Sequence, residues 1–191
     1  MKTALFIFFL LLCSCAYHSE PENNKEFHKV SQLSELEGVY KNKGNPSGYL
    51  SREIWSDSQL VIDGKINHET IEFIEVIANN NSITVKAIEN GCAVYERTYI
   101  EGHDFKVNDG KIIINRDAYL LSRGSGDVIV GPSYEQVTLG LDTNRHGKST
   151  RSEYAAGLVL FLLPVAVSDT KETEYERVSD KPTGFGNCKN R

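Results

Sequence analysis

Residues that could carry chemistry are thinly spread along the 191 residues of this chain. The sharpest local pattern is Asp142-Thr143-Asn144-Arg145-His146-Gly147, with Glu153 at the twelfth place of the same loop. A calcium loop of EF-hand type wants oxygen ligands at positions one, three, five and twelve and a glycine at six, so that the ion is caged while the chain turns sharply. Asp142, Asn144, Gly147 and Glu153 fit that template, and His146 does not, because calcium prefers oxygen to an imidazole nitrogen. Arg145, Lys148 and Arg151 would also repel a dication. The expectation is a polar hairpin loop, with Asp142, Asn144 and Glu153 kept as weak metal candidates.

Other signatures carry less. Ser168-Asp169-Thr170-Lys171 matches S-x-x-K, in which a lysine activates a serine nucleophile, but two fixed positions arise by chance in a chain of this length. The companion S-D-N and K-T-G elements are missing, and Lys181-Pro182-Thr183-Gly184 carries an extra proline. There is no G-x-S-x-G, H-E-x-x-H, C-x-x-C or Walker-type loop. His68-Glu69 and His103-Asp104 read as separate surface turns unless the fold brings them together. Tyr95, Arg97 and Tyr99 share one strand face by period-two spacing. They read as an amphipathic outer face, the alternative being a cavity wall for an acidic or aromatic ligand. Trp55, the single tryptophan, reads as a core or barrel-end anchor. No catalytic residue and no cofactor is assigned, and the domain is expected to be non-enzymatic.

The elements that would position these residues are mainly strands. Alternation or β-branched enrichment bounded by turn residues marks 36–41, 71–77, 82–89, 93–100, 111–116, 127–130, 135–141, 158–167 and 174–178. In 82–89, Ile83, Val85 and Ala87 fall on one face and Thr84 and Lys86 on the other, which is antiparallel-sheet behaviour. Asn79-Asn80-Asn81, Asn90-Gly91, Asn108-Asp109-Gly110 and Asp63-Gly64 read as compact turns between strands that should pair as hairpins, because Asn, Asp and Gly reach positive φ at little cost. Eight or nine strands and a short helix near 49–60 predict a mainly β domain: a single antiparallel barrel or sandwich, favoured as a lipocalin-like half-open meander. The run Ala155 to Val167 is apolar throughout but too short to span a bilayer as a helix, and Gly157 and Pro164 would interrupt one. It reads as one or two strands buried on both sides, or as an exposed patch that docks a protein or lipid partner.

Composition sets outer bounds. The chain has 21 Lys plus Arg against 26 Asp plus Glu, a net charge of -5, and 25 % charged residues. A chain of that balance lacks the basic stripe that displaces counterions from phosphates, so nucleic acid is not expected as a partner.

The N-terminus gives the most specific information about destination. Lys2, an apolar run from Ala4 to Leu12 and a small-residue exit have the layout of a secretory signal peptide, about nine apolar residues against the roughly 20 of a spanning helix. Leu12-Cys13-Ser14-Cys15 resembles the lipobox of bacterial lipoproteins, with a leucine three residues before the cysteine and a small residue directly before it; Cys13 is tolerable there but not typical. The resemblance implies cleavage between Ser14 and Cys15, a diacylglyceryl group on the Cys15 sulfur and a third acyl chain on the new amino terminus. The competing reading is ordinary cleavage after Ala16.

The expected organisation is therefore a removed signal at 1–14, a lipidated N-terminus and flexible tether at 15–32, and an antiparallel β-domain at 33–191. Ala16 is not the aspartate that retains lipoproteins in the inner membrane, which implies the periplasmic face of the outer membrane. On the secretory route, Cys92 and Cys188 would meet oxidising conditions and are expected to pair. Three functional classes follow: a non-enzymatic envelope lipoprotein with a binding or structural role, a small-ligand or lipid carrier on a half-open barrel, and, last, a hydrolase or metal-dependent enzyme built from scattered residues.

Overall fold

The structure, a computed structural model, describes residues 14–56, 58–118, 129–130, 132–159 and 163–186. Among the described residues, thirteen strands run in the order β1 (Ser14–Ser19), β2 (Phe27–His28), β3 (Gly38–Lys41), β4 (Phe73–Asn79), β5 (Ser82–Glu89), β6 (Cys92–Ile100), β7 (Lys106–Asn108), β8 (Lys111–Ala118), β9 (Ile129–Val130), β10 (Ser133–Asp142), β11 (Gly147–Val159), β12 (Leu163–Tyr175) and β13 (Arg177–Ser179). A 3-10 turn at Leu33–Leu36 and two short helices, α1 (Leu50–Ile54) and α2 (Ser58–Ile62), complete the set.

One sheet has the order β1-β12-β11-β10-β8-β7, with β2 also paired to β10 and β9 to β11; the other has the order β13-β3-β4-β5-β6. By contact, the chain divides into a first unit made of residues up to Ser19, Asn115–Val137 and Arg151–Lys171, and a second made of Glu20–Ile114, Thr138–Thr150 and Glu172–Arg191.

The second unit holds the core. From β3 to β6 the chain is an antiparallel meander whose turns are those its residues dictate. Glu89 pairs with Cys92 across Asn90 (φ 50) and Gly91 (φ 73), and Asn108 with Lys111 across Asp109 (φ 51) and Gly110 (φ 75). Two consecutive left-handed residues make the turn whose twist matches a hairpin. The alternating face of β5 delivers Ile83, Val85 and Ala87 to a cluster that also contains Ile74 of β4, Ile112 of β8, Leu141 of β10 and Tyr175 of β12. Trp55, 2 % exposed, sits in this cluster with its ring edge-on to Tyr95 at 5.3 Å.

Three expectations are corrected. Among the described residues the strands form two sheets and no closed barrel, in place of the single half-open, lipocalin-like meander favoured from the sequence. Nor is pairing purely antiparallel, because β1 runs parallel to β12, with Cys15 opposite Val167 and Tyr17 opposite Asp169. Hairpin signals report only neighbours in sequence, and the pairs β1–β12, β2–β10 and β13–β3 are long-range. The third correction concerns 15–32, which is not a free tether. Ser14–Ser19 is β1, Phe27–His28 pairs with Asp142 and Leu141, and Val30 is a core residue at 6 % exposure. Lys148 fixes this segment: its buried ammonium donates to Asn24 Oδ1 at 2.7 Å and to the Lys25 carbonyl, pairs with Glu172 at 2.7 Å, and lies 5.0 Å from the Phe27 ring centre. A segment poor in apolar residues is thus held by polar groups that only the fold supplies.

The helical region expected near 49–60, with at most one or two short helices, holds α1 and α2, and Asp63-Gly64 follows α2 rather than joining two strands. The apolar run is divided between β11, through Val159, and β12, from Leu163, with 160–162 outside the described residues. Its burial is uneven: Ala155 is buried, whereas Ala156, Gly157, Ala166 and Val167 are half-buried.

The outer face of the second sheet carries a smaller buried layer. Val39, Glu75 and Lys86 lie in register across β3, β4 and β5, as do Phe73, Ile88 and Ala93 across β4, β5 and β6. Val39, Glu75, Ile88 and Ala93 are all buried, yet outside the main cluster. The chain after β13 covers them. Thr183 N–H, Thr183 Oγ1–H and Gly184 N–H donate to Glu75 Oε1 at 2.7, 3.2 and 2.8 Å, Lys86 Nζ stands 3.4 Å from Glu75 Oε2, and Ala93 N–H donates to Gly186 O at 3.0 Å.

Candidate functional site

The residues that could do chemistry fall in separate places. Cys15, the expected acylation site, is the second residue of β1 in the first unit. Parallel register sets it beside Val167 of β12, where the sequence of β12 changes from Leu163-Pro164-Val165-Ala166-Val167 to Ser168-Asp169-Thr170-Lys171.

In the second unit, a serine and a histidine meet. His68 Nδ1 lies 2.9 Å from Ser51 Oγ, and Asn42 braces the pair by donating to the carbonyls of His68 and Ile71 at 2.8 and 3.0 Å and accepting from Ser51 N–H at 2.8 Å. Burial lowers the His68 pKa, and the nearby Arg52 charge lowers it further, so the imidazole is held neutral. A neutral histidine against a serine hydroxyl is the first half of a nucleophile–base pair. Ser51 is fully buried and His68 is 7 % exposed, which leaves no room for a substrate carbonyl at the oxygen. The arrangement ties α1 to the chain before β4. Nothing in the sequence announced it, because its members are scattered between positions 42 and 68 with no motif spacing.

The same unit has a half-open cavity of about 80 Å³ walled by apolar side chains, among them Leu36, Leu50, Ile83, Tyr99, Phe105 and Ile112. Tyr99 faces it, and Tyr95 packs on Trp55, so the tyrosine face of β6 points inward rather than outward as expected. Arg97 stays half-exposed, stacked 4.9 Å from the Tyr99 ring centre and 3.7 Å from Asp104. Burial pushes the Tyr40 phenol up to about 12, and its hydroxyl donates to Leu36 O at 2.8 Å.

The weak metal candidates serve other purposes. Asp142 Oδ1 accepts the N–H groups of Asn144 and His146, each at 2.8 Å, and Arg145 takes a left-handed φ of 65°, which closes a tight hairpin turn. Glu153 pairs with Arg151 at 2.7 Å, within a charged ladder in which Arg151 and Arg116 also reach Glu135. No group of three or more His, Cys, Asp or Glu is placed to hold a metal ion among the described residues. Ser168 and Lys171 lie three apart on one strand, which sends their side chains to opposite faces. His103 is exposed beside Asp104, whereas His68 is buried, so the two His-acid pairs do not converge. Asp104 has its pKa lowered chiefly by the Ile100 N–H it accepts, and Glu35 by the N–H of Ser31. Cys92 is disulfide-bonded; Cys188 lies outside the described residues.

No family model, curated protein or solved structure matches the chain.

Proposed function

We propose that this chain is a bacterial envelope lipoprotein, acylated at Cys15 and held on the periplasmic face of the outer membrane, whose β-domain acts by binding or as a structural part rather than by catalysis. The observation that carries this reading is Leu12-Cys13-Ser14-Cys15 directly after a nine-residue apolar run. One acyl chain holds a protein to a bilayer only marginally, but each buried methylene adds about 0.8 kcal/mol, so two or three chains anchor it stably without a spanning helix. None of the described helices is long and apolar enough to cross a membrane. The sealed Ser51–His68 pair and the dispersed carboxylates support a non-catalytic role.

A ligand-carrier reading draws on the apolar cavity. At about 80 Å³, that space is well below the roughly 300–1,000 Å³ of small-molecule pockets, and this favours binding at the surface.

The test is acylation itself. Cells expressing the chain with a labelled fatty acid should incorporate label into it, Cys15→Ala should abolish incorporation, and intact mass should place the mature N-terminus at Cys15. An unmodified thiol at Cys15, or a product beginning at Tyr17, would return the chain to the freely diffusing secreted class.

A further inference from the structure

Given the anchor proposed above, on which this inference rests, we propose that the apolar strand ends of the first unit form a membrane-contact tip that settles into the headgroup–acyl boundary beside the Cys15 lipid. With β1 in the sheet there is no slack between anchor and domain, since Cys15 itself is in register with Val167. That register coincides with a change of polarity. On one side β12 reads Leu163-Pro164-Val165-Ala166-Val167, and on the other Ser168-Asp169-Thr170-Lys171-Glu172. The neighbouring β11 makes the same change in the reverse order, from Arg151-Ser152-Glu153-Tyr154 to Ala155-Ala156-Gly157-Leu158-Val159. The strand β9, paired to the end of β11 with Val130 opposite Leu158, adds Ile129 and Val130. The apolar end of β12 therefore extends past the level at which the acyl-glyceryl group would leave the protein, and the apolar ends of β11 and β9 belong to the strands next in the same sheet.

Aromatic placement points to the same partner. Three exposed large aromatic residues occur among the described ones, Tyr17 (67 %), Tyr154 (51 %) and Tyr134 (42 %), and all belong to the first unit. Tyr17 is two residues past the anchor, and Tyr154 directly precedes the apolar end of β11. Tyr134 shares a sheet face with Tyr154: Glu135 bonds Arg151 across the sheet, and period two sends residues 134 and 154 to the opposite side. Tyrosine, apolar in body and polar at its tip, favours the membrane–water interface.

Reach and depth are also consistent. From Val167 to Leu163 is four residues, about 13 Å along a strand, within the roughly 15 Å of one leaflet's hydrocarbon. After cleavage before Cys15, however, no described strand pairs with the β1 side of β12 over 163–166, and unpaired backbone is excluded from hydrocarbon. The tip therefore rests shallowly, at the depth of an interfacial element.

The experiment uses the mature acylated protein with Tyr154→Trp, and separately Tyr17→Trp, on vesicles of phosphatidylethanolamine and phosphatidylglycerol. The lipid chains are brominated either near the glycerol or near the methyl end, and the parent protein, which has only the core Trp55, provides the background. The expected result is a blue-shifted added emission, quenched more strongly by bromines near the glycerol. Acylated protein that floats with the vesicles while the added tryptophans keep a water-like emission unaffected by bromine would overturn the tip and leave the anchor intact. Protein that carries no acyl group and does not float would overturn the anchor, and the tip with it. Flotation, with the same quenching, of Cys15→Ala protein made without residues 1–14, so that no uncleaved apolar signal remains, would support the tip independently of the lipid.

Discussion

Replacing Glu75 by alanine tests whether the chain after β13 is a fastened cover or a loose tail. The carboxylate is fully buried, its Oε1 accepts three bonds from Thr183 and Gly184, and its Oε2 faces Lys86 at 3.4 Å. Truncation removes the acceptor for two backbone N–H groups and leaves the Lys86 ammonium without its carboxylate, with the Phe185 carbonyl at 3.5 Å. Breaking a buried pair in this way costs about 3–5 kcal/mol. The Lys86 side chain keeps 15 % of its surface in water and can partly recover hydration, which places the expected loss near the lower bound, about 3 kcal/mol. For a chain of this size, that lowers Tm by roughly 6–12 °C. Glu75→Gln retains one acceptor oxygen but turns the charge-assisted bonds into neutral ones, and should lose about 1–2 kcal/mol. Urea unfolding at pH 7 gives the energies, and amide exchange at Thr183 and Gly184 locates them. A Glu75→Ala protein with parental Tm and unchanged protection of those two amides would refute the reasoning.

Three further outcomes are expected. Because burial lowers the His68 pKa, the unfolded chain binds the proton more readily below the ordinary histidine value of 6.5; stability contributed by the neutral imidazole is present above that pH and declines as pH falls through it, so His68→Asn should show a shallower fall in urea midpoint between pH 7.5 and 5 than the parent. Gly91→Ala and Gly110→Ala both force alanine to positive φ, at about 1 kcal/mol; an alanine Cβ at 110 would also stand 2.5 Å from Val30 N, whereas 91 is open, so the thermal unfolding temperature of Gly110→Ala should fall measurably further, and equal losses would contradict the docking of residues 27–30. Peptide mapping of non-reduced protein should join the Cys92 and Cys188 peptides, and Cys188→Ser should cost on the order of 4 kcal/mol in urea unfolding, the contribution of a bridge closing nearly a hundred residues.

The sequence by itself determined the hairpins, because a turn is a local event. Asn90-Gly91 and Asp109-Gly110 reach left-handed φ whatever surrounds them, and β5 came out over Ser82–Glu89, the bounds its alternation predicts. The resemblance at Leu12-Cys13-Ser14-Cys15, on which the proposed acylation rests, is likewise local, since it needs no fold to be legible.

Only the tertiary structure decided which strands from distant parts of the chain pair, and so whether a barrel closes. It placed β1 alongside β12, turned Tyr95 and Tyr99 inward, and gave 20–30 a place through Lys148. It also brought Ser51 to His68, and Thr183 to Glu75. These interactions lie between groups far apart in sequence, at distances set by packing, and a buried charge or a neutral histidine gains its character from the dielectric and the partners that packing supplies. Local residue patterns contain neither.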